Sequence, residues 1–199
     1  MNGTRTAGQI DFVRIPKPTA RGRKPFALLF PLDVVYRRCG IALPEVREIA
    51  PEQIPFPYRT VLHHTNDMTL TLERHFGGPL VVRPLSTCLS GHWYVRRVLL
   101  AQEYSGKPVE MGAIRINLSG FNARTRRQVL ANRIPLGRLL RDEGVPFESR
   151  PLAFFELTPN SEMMGVFWMR EPRRLYGRRT EIVIGRKKIG DIVEILPLV

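Results

Sequence analysis

Short apolar segments separated by turn residues constrain the fold of this chain more than any other feature. The segments are rich in β-branched and aromatic residues, and such runs between Gly, Ser and Pro are typical of strands. Three of them follow one another closely, before two polar, helix-like stretches. The predicted strands are Leu80–Leu85, Trp93–Leu100, Val109–Leu118, Leu152–Leu157, Gly165–Met169, Thr180–Ile184 and Ile189–Leu196.

Four other segments have the spacing and end signals of helices. Asp67, with Thr65 and Asn66, is a candidate N-cap for the amphipathic segment that ends at the double glycine 77–78. The predicted helices are Leu32–Cys39, Met68–Phe76, a segment from Asn122 to about Ala131, and Leu136–Asp142, which Pro135 opens and Gly144 ends. Because the helices cluster and do not alternate with the strands, the pattern predicts an α+β fold with a largely antiparallel sheet.

The chain divides into three parts by composition. Residues 1–25 are predicted to be a flexible basic tail, residues 26–59 a Pro-punctuated N-terminal extension, and residues 60–199 the main domain. The formal charge is +13, with 31 Lys and Arg against 18 Asp and Glu. Its excess lies in residues 1–24, 124–150 and 170–188, so it could form a nucleic-acid face or attract an anionic ligand.

Several classes of protein do not fit the sequence. No helix-turn-helix or stacking aromatic pattern accompanies the basic residues, so nucleic acid is not the expected partner. No apolar run has the roughly 20 residues of a membrane helix, and no secretory signal is evident, so a cytoplasmic location is expected. Cys39 and Cys88 form no CxxC pair, and the histidines lack ligand spacing, so neither a disulfide framework nor a metal site is expected.

Two adjacent arginines interrupt an apolar strand. In Trp93-Tyr-Val-Arg-Arg-Val-Leu-Leu100, alternation places Arg96 on one face and Arg97 on the other, and both faces are otherwise apolar. An unpaired buried guanidinium is costly, so at least one of them needs a carboxylate partner from the protein or from a ligand. A protein salt bridge, or an arginine that reaches the sheet edge, explains the pattern equally well.

The last strand carries the opposite charge in similar surroundings. Glu194 lies between Val193 and Ile195, where burial would raise the pKa of a carboxyl group unless a cation compensates. A raised pKa would suit acid–base chemistry, and a pairing with a neighbouring arginine is the alternative. Arg115 is a third, weaker candidate of the same kind.

Six short motifs occur in a characteristic order: Asn66-Asp-Met-Thr69, Trp93-Tyr-Val-Arg-Arg-Val-Leu-Leu100, Gly106-Lys-Pro108, Pro135-Leu-Gly-Arg138, Leu175-Tyr-Gly-Arg-Arg179 and Val193-Glu-Ile-Leu-Pro197. Over residues 60–197, this series resembles the chorismate pyruvate-lyase (4-hydroxybenzoate synthase) family, with the chain as a diverged member. The resemblance implies a chorismate lyase-like α+β fold with a mainly antiparallel sheet of about six strands, flanked by helices that cover an interior site.

The resemblance also implies a reaction. The family eliminates enolpyruvate from chorismate to give 4-hydroxybenzoate and pyruvate, without cofactor or metal, in aromatic acid and ubiquinone biosynthesis. The carboxylate-binding arginine of the family falls on Arg96, and the glutamate that contacts the ring hydroxyl falls on Glu194; both are expected to be catalytic. Further substrate contacts fall on Met68, Leu136 and Gly137. The expected partner is the substrate chorismate, and the protein is expected to be a monomer.

One position departs from the family pattern. The second family arginine, on the strand after the Gly-x-Pro turn, is replaced by Ala113. Arg115, two residues along the same strand, is expected to take its place as a substrate-binding residue. The alternative function is a non-enzymatic sensor of an aromatic acid or another small molecule, because the fold resembles the effector-binding domains of some transcription regulators. A basic nucleic-acid-binding protein is the third possibility.

Overall fold

A computed structural model describes residues 28–197. The predicted basic tail, residues 1–25, lies outside the described residues. The helices are α1 (Leu32–Cys39), α2 (Tyr58–Leu62), α3 (Met68–Phe76), α4 (Ala123–Ala131), α5 (Leu136–Asp142) and α6 (Ser161–Val166). The strands are β1 (Glu45–Ile49), β2 (Leu80–Ser90), β3 (Trp93–Gln102), β4 (Pro108–Asn117), β5 (Glu148–Thr158), β6 (Leu175–Ile184) and β7 (Lys187–Leu196).

The strands form one seven-stranded sheet in the order β1-β5-β6-β7-β4-β3-β2, and every neighbouring pair is antiparallel. The fold class is therefore α+β, as predicted, with helices packed against the sheet. Tight turns connect β2 to β3 and β6 to β7, and each contains a glycine with positive φ, Gly91 and Gly185. None of the helices in the described range has the length and apolar character needed to cross a membrane.

Several predictions of local structure differ from the observed elements, and two of the differences have a plain physical reason. The segment Gly165–Met169 is not a strand: Asn160 caps a helix through the backbone N–H of Met163, and that helix runs to Val166. A short apolar run does not distinguish a buried helix from a strand, and the capping asparagine decides between them here. The strand β1 was missed because its exposed, charged sequence lacks an apolar face.

The central strands sort their side chains onto two faces. On the first, here called the site face, Arg96 of β3 lies level with Ile114 of β4, which in turn lies level with Ile192 of β7. Two residues along, Gly112 lies level with Glu194. Helices α2 and α3 pack with one apolar cluster on this face, and helices α4 and α5 pack with another.

The opposite face carries a separate core. It contains Ala113 and Val193 from the sheet, Tyr36 from α1 and Met163 from α6. Helix α1 and strand β1, which lie in the predicted N-terminal extension, thus pack on the same sheet as the main domain. Both sheet faces are covered, which is why Arg96 and the adjacent Arg97 are both buried, at 3% and 6% exposure.

Candidate functional site

An interior cavity lies between the site face and helices α3 and α5. It has a volume of about 70 Å³ and is partly open to solvent, so it is smaller than the roughly 300–1,000 Å³ typical of small-molecule sites. Its walls are largely apolar, with a few polar side chains from β3, β4 and β7. Five of the predicted site residues line it together: Met68, Arg96, Leu136, Gly137 and Glu194.

Arg96 is the cationic group of this cavity. One terminal nitrogen donates a hydrogen bond to Asn132 Oδ1 at 2.6 Å, and the other donates to the carbonyl of Ile134 at 3.4 Å. Its Nε has no hydrogen-bond partner, and no carboxylate within residues 28–197 forms an ion pair with it. Burial lowers the pKa of Arg96 to about 10, so the guanidinium still carries its charge at neutral pH. The cavity therefore holds a buried positive charge without a protein counter-ion among the described residues.

Glu194 forms an ion pair with a buried arginine of the protein. Arg178, which is fully buried, donates from Nε to Glu194 Oε2 at 2.5 Å, and Thr180 donates its hydroxyl to the same oxygen at 3.1 Å. Arg178 also donates to the main-chain carbonyls of Leu62 and His64. Of the two alternatives for Glu194, the pairing with a neighbouring arginine is therefore the one observed.

Glu110 is a cavity residue that the sequence analysis missed. It lies on β4, is 5% exposed, and its Oε2 has no hydrogen-bond partner. Burial, and after it the negative charge of Glu194, raise the pKa of Glu110 well above its ordinary value, and Arg178 opposes this only in part. Both effects favour the protonated, neutral form of this carboxyl group. Its signal was present in the sequence, because Glu110 interrupts an apolar strand just as Glu194 does.

Arg115 is the predicted site residue that does not reach the cavity. Its terminal nitrogen donates to Asp191 at 2.8 Å, and its guanidinium stacks over the ring of Trp93, 4.3 Å from the centroid. Strand alternation puts it on the opposite face, where the side chain of Ala113 also packs. The expectation that Arg115 replaces the family arginine inside the site is therefore corrected: neither position 113 nor position 115 faces Arg96.

Two helices that line the cavity are fastened to each other at their ends. Asp67 caps α3 by accepting from the backbone N–H of Thr69, and its carboxylate also pairs with Arg141 of α5. Gly137, in the first turn of α5, lies so close that a Cβ at this position would overlap the Asp67 carboxylate. The Asp67 carboxylate thus links the first turns of α3 and α5, where the predicted site residues Met68 and Gly137 lie.

Within residues 28–197, no group of three or more His, Cys, Asp or Glu side chains could hold a metal ion. The polar side chains that line the cavity include the Arg96 guanidinium, which donates to Asn132, and the Glu194 carboxylate, which pairs with Arg178.

Comparisons with known proteins bear on the fold only. No protein-family model matches the chain, and no curated protein matches it. A crystal structure of a gene product of Staphylococcus aureus is similar, with a TM-score of 0.51, 7% identity, and coverage of 68% of this chain and 90% of that one. At this identity the likeness shows a shared α+β fold and no more.

Two further structures score lower. PhnF from Mycobacterium smegmatis has a TM-score of 0.48 at 11% identity, with 67% of this chain and 64% of that chain covered. The ligand-binding domain of a candidate GntR-family transcriptional regulator from Bordetella bronchiseptica has a TM-score of 0.41 at 14% identity, covering 59% and 85%. Both scores lie below 0.5, so only the first match bears on the fold.

Proposed function

We propose that this protein binds a small aromatic carboxylic acid in its interior cavity, and that it acts as a ligand-binding sensor domain. The observation that carries the proposal is Arg96. A buried guanidinium without a carboxylate partner is costly to the folded protein, and a ligand carboxylate is the natural group to complete it. Arg96 keeps its charge at neutral pH, as this role requires.

The cavity also indicates the rest of the ligand. Its walls contain apolar side chains on both sides, among them Val98, Ile114 and Leu140, which suit a flat hydrophobic body. Glu110 and Glu194 lie further along the same sheet face, at a distance from Arg96. A ring with a carboxylate at one end and a polar substituent at the other matches this order of groups, and hydroxybenzoates are the simplest molecules of that kind.

Binding without turnover is favoured by the state of Glu194. Glu194 already forms an ion pair with Arg178 and accepts a hydrogen bond from Thr180, so its Oε2 is engaged within the protein and is not free to take a proton from a substrate. The resemblance to effector-binding domains of transcription regulators supports the same proposal. The excess positive charge of the chain would favour the approach of an anionic ligand.

Chorismate pyruvate-lyase activity is the second candidate. It is favoured by one specific observation: Arg96 and Glu194, the residues that match the catalytic positions of the family, line the same cavity together with Met68, Leu136 and Gly137. In that reaction, Arg96 would orient the ring carboxylate of chorismate. Glu194 would assist loss of the C4 hydrogen as the C3 ether leaves.

One pair of measurements separates the two functions. The purified full chain is titrated calorimetrically with 4-hydroxybenzoate and, as a matched control, with 4-hydroxybenzyl alcohol, which lacks the carboxylate. The sensor proposal predicts saturable binding of the acid and much weaker binding of the alcohol. The same protein is then incubated with chorismate, and pyruvate is assayed: release above the uncatalysed rate establishes the lyase, and binding without release establishes the sensor. Equal or absent binding of both ring compounds would contradict the proposed function.

A further inference from the structure

We infer that Glu110 is a specificity residue of the cavity: as a neutral carboxylic acid it donates a hydrogen bond to a ligand oxygen, so this end of the cavity selects a hydroxyl group. The inference rests on the proposed function, because Arg96 must hold the ligand carboxylate for the far end of the ring to reach Glu110. It adds a residue that the family resemblance does not assign.

The sheet register places Glu110 suitably for this role. Ile114, which lies level with Arg96, is two residues along β4 from Gly112, which is about 7 Å at the usual rise of a strand. The Glu110 side chain folds back over Gly112, where a Cβ would lie 3.1 Å from Glu110 Oε1. The absence of a side chain at Gly112 therefore brings the carboxyl group of Glu110 toward Glu194, which lies level with Gly112.

At the end of the cavity lined by Glu110 and Glu194, the hydrogen bonding is incomplete without a ligand. Glu110 Oε2 is buried and has no partner among the described residues. The neighbouring Arg178 donates from Nε to Glu194 and from Nη1 to two main-chain carbonyls, while its Nη2 also lacks a partner. Both described hydrogen bonds to Glu194 end on Oε2. A buried polar atom without a partner, in the wall of a cavity, is the place at which a ligand atom restores the missing bond.

The two carboxyl groups offer opposite hydrogen-bonding roles. Glu110, kept neutral by burial and by the charge of Glu194, carries an O–H that donates. Glu194, which accepts hydrogen bonds from Arg178 and Thr180, offers its carboxylate oxygens as acceptors. A ligand hydroxyl satisfies both groups, because it donates to Glu194 and accepts from Glu110. An aromatic amine donates but accepts poorly, and a methoxy group accepts but has no hydrogen to donate.

Four para-substituted benzoates test this selection: 4-hydroxybenzoate, 4-aminobenzoate, 4-methoxybenzoate and unsubstituted benzoate. Calorimetric titration of the full chain is expected to give the tightest binding for the hydroxy compound, by about fivefold or more over each of the others, which corresponds to one neutral hydrogen bond. Glu110→Leu is expected to reduce the preference for hydroxyl over amine to less than about twofold, because only the hydroxyl accepts a hydrogen bond from Glu110. Glu110→Gln, which keeps an N–H donor at the same place, is expected to retain most of it.

An infrared measurement gives a readout that a merely structural role would not move. A neutral carboxyl group has a C=O stretch that an ionised one lacks, and this band is expected in the wild type, to shift when 4-hydroxybenzoate is added, and to be lost in Glu110→Gln. Binding of benzoates with no hydroxyl preference, an unchanged preference for hydroxyl over amine in Glu110→Leu, or no ligand-dependent band overturns the role of Glu110 alone. Failure of all four benzoates to bind overturns the proposed function, and the inference with it.

Discussion

Replacing Arg96 by methionine is expected to weaken ligand binding by about 30-fold without destabilising the protein. Methionine preserves the length and much of the volume of the side chain but removes the guanidinium. The buried charge of Arg96 lowers the free energy of unfolding of the ligand-free protein, and it raises the affinity for a carboxylate ligand. Removing the charge should therefore affect stability and affinity in opposite directions. This combination distinguishes a binding residue from a structural one.

The magnitudes follow from the surroundings of Arg96. Burial lowers its pKa from 12.5 to about 10, which corresponds to about 3 kcal/mol of unfolding free energy lost at neutral pH. The substitution recovers this cost but leaves Asn132 Oδ1, now the acceptor of a 2.6 Å bond, without a donor, at a cost of about 1–3 kcal/mol. The unfolding free energy should therefore change by no more than about 2 kcal/mol, in the stabilising direction if at all. Loss of one charge-assisted contact of about 2 kcal/mol weakens carboxylate binding by about 30-fold.

The adjacent arginine provides the matched control. Arg97 faces the opposite core, donates to Glu162 at 2.6 Å and to the Ser86 hydroxyl at 3.1 Å, and does not line the cavity. Arg97→Met leaves a partly buried carboxylate unpaired and should cost about 3 kcal/mol of stability, with little effect on the affinity for 4-hydroxybenzoate. Urea unfolding and calorimetric titration of both variants make the test. A loss of more than about 3 kcal/mol in Arg96→Met, or unchanged affinity in that variant, would refute the reasoning.

Three further predictions concern the neighbourhood of the site. Gly137→Ala should destabilise the protein by about 1–3 kcal/mol in urea unfolding, because the new methyl group overlaps the Asp67 carboxylate that caps α3. Gly165→Ala is the control: this glycine is also in a helix but has open space around it, so the substitution should stabilise the protein by about 0.5–1 kcal/mol. Arg178→Met should cost about 3–5 kcal/mol by stranding a buried carboxylate, and the added change Glu194→Leu should recover part of that loss; no recovery would argue against the pair. Glu110→Gln should become progressively more stable relative to the wild type as pH rises above about 4.3, because the folded wild type holds a proton that the unfolded chain has released. Parallel curves of unfolding free energy against pH for the two proteins would show that Glu110 is ionised in the folded protein.

Much of the fold could be predicted from local patterns. The helices α1 and α3, and the strands β3 and β4, follow from apolar periodicity and from end signals such as Asp67 and Gly77. The pattern fails where a segment is too exposed or too short to have a period. That is the case for β1, which is charged, and for α6, which the capping residue Asn160 determines.

The candidate site could be predicted only in part. Arg96 and Glu194 stand out because each puts a charge inside an apolar strand. The pairing of Glu194 with Arg178, however, depends on the order of strands β6 and β7 in the sheet. The sequence also could not show that Arg115 points away from Arg96, because the relative face of two residues on different strands depends on their register.

A crystal structure of the full chain soaked with 4-hydroxybenzoate tests the central claim most directly. The account predicts the ligand in the cavity, with its carboxylate within hydrogen-bond distance of the Arg96 guanidinium and its hydroxyl between Glu110 and Glu194. A ligand bound elsewhere, or one whose carboxylate avoids Arg96, would contradict it.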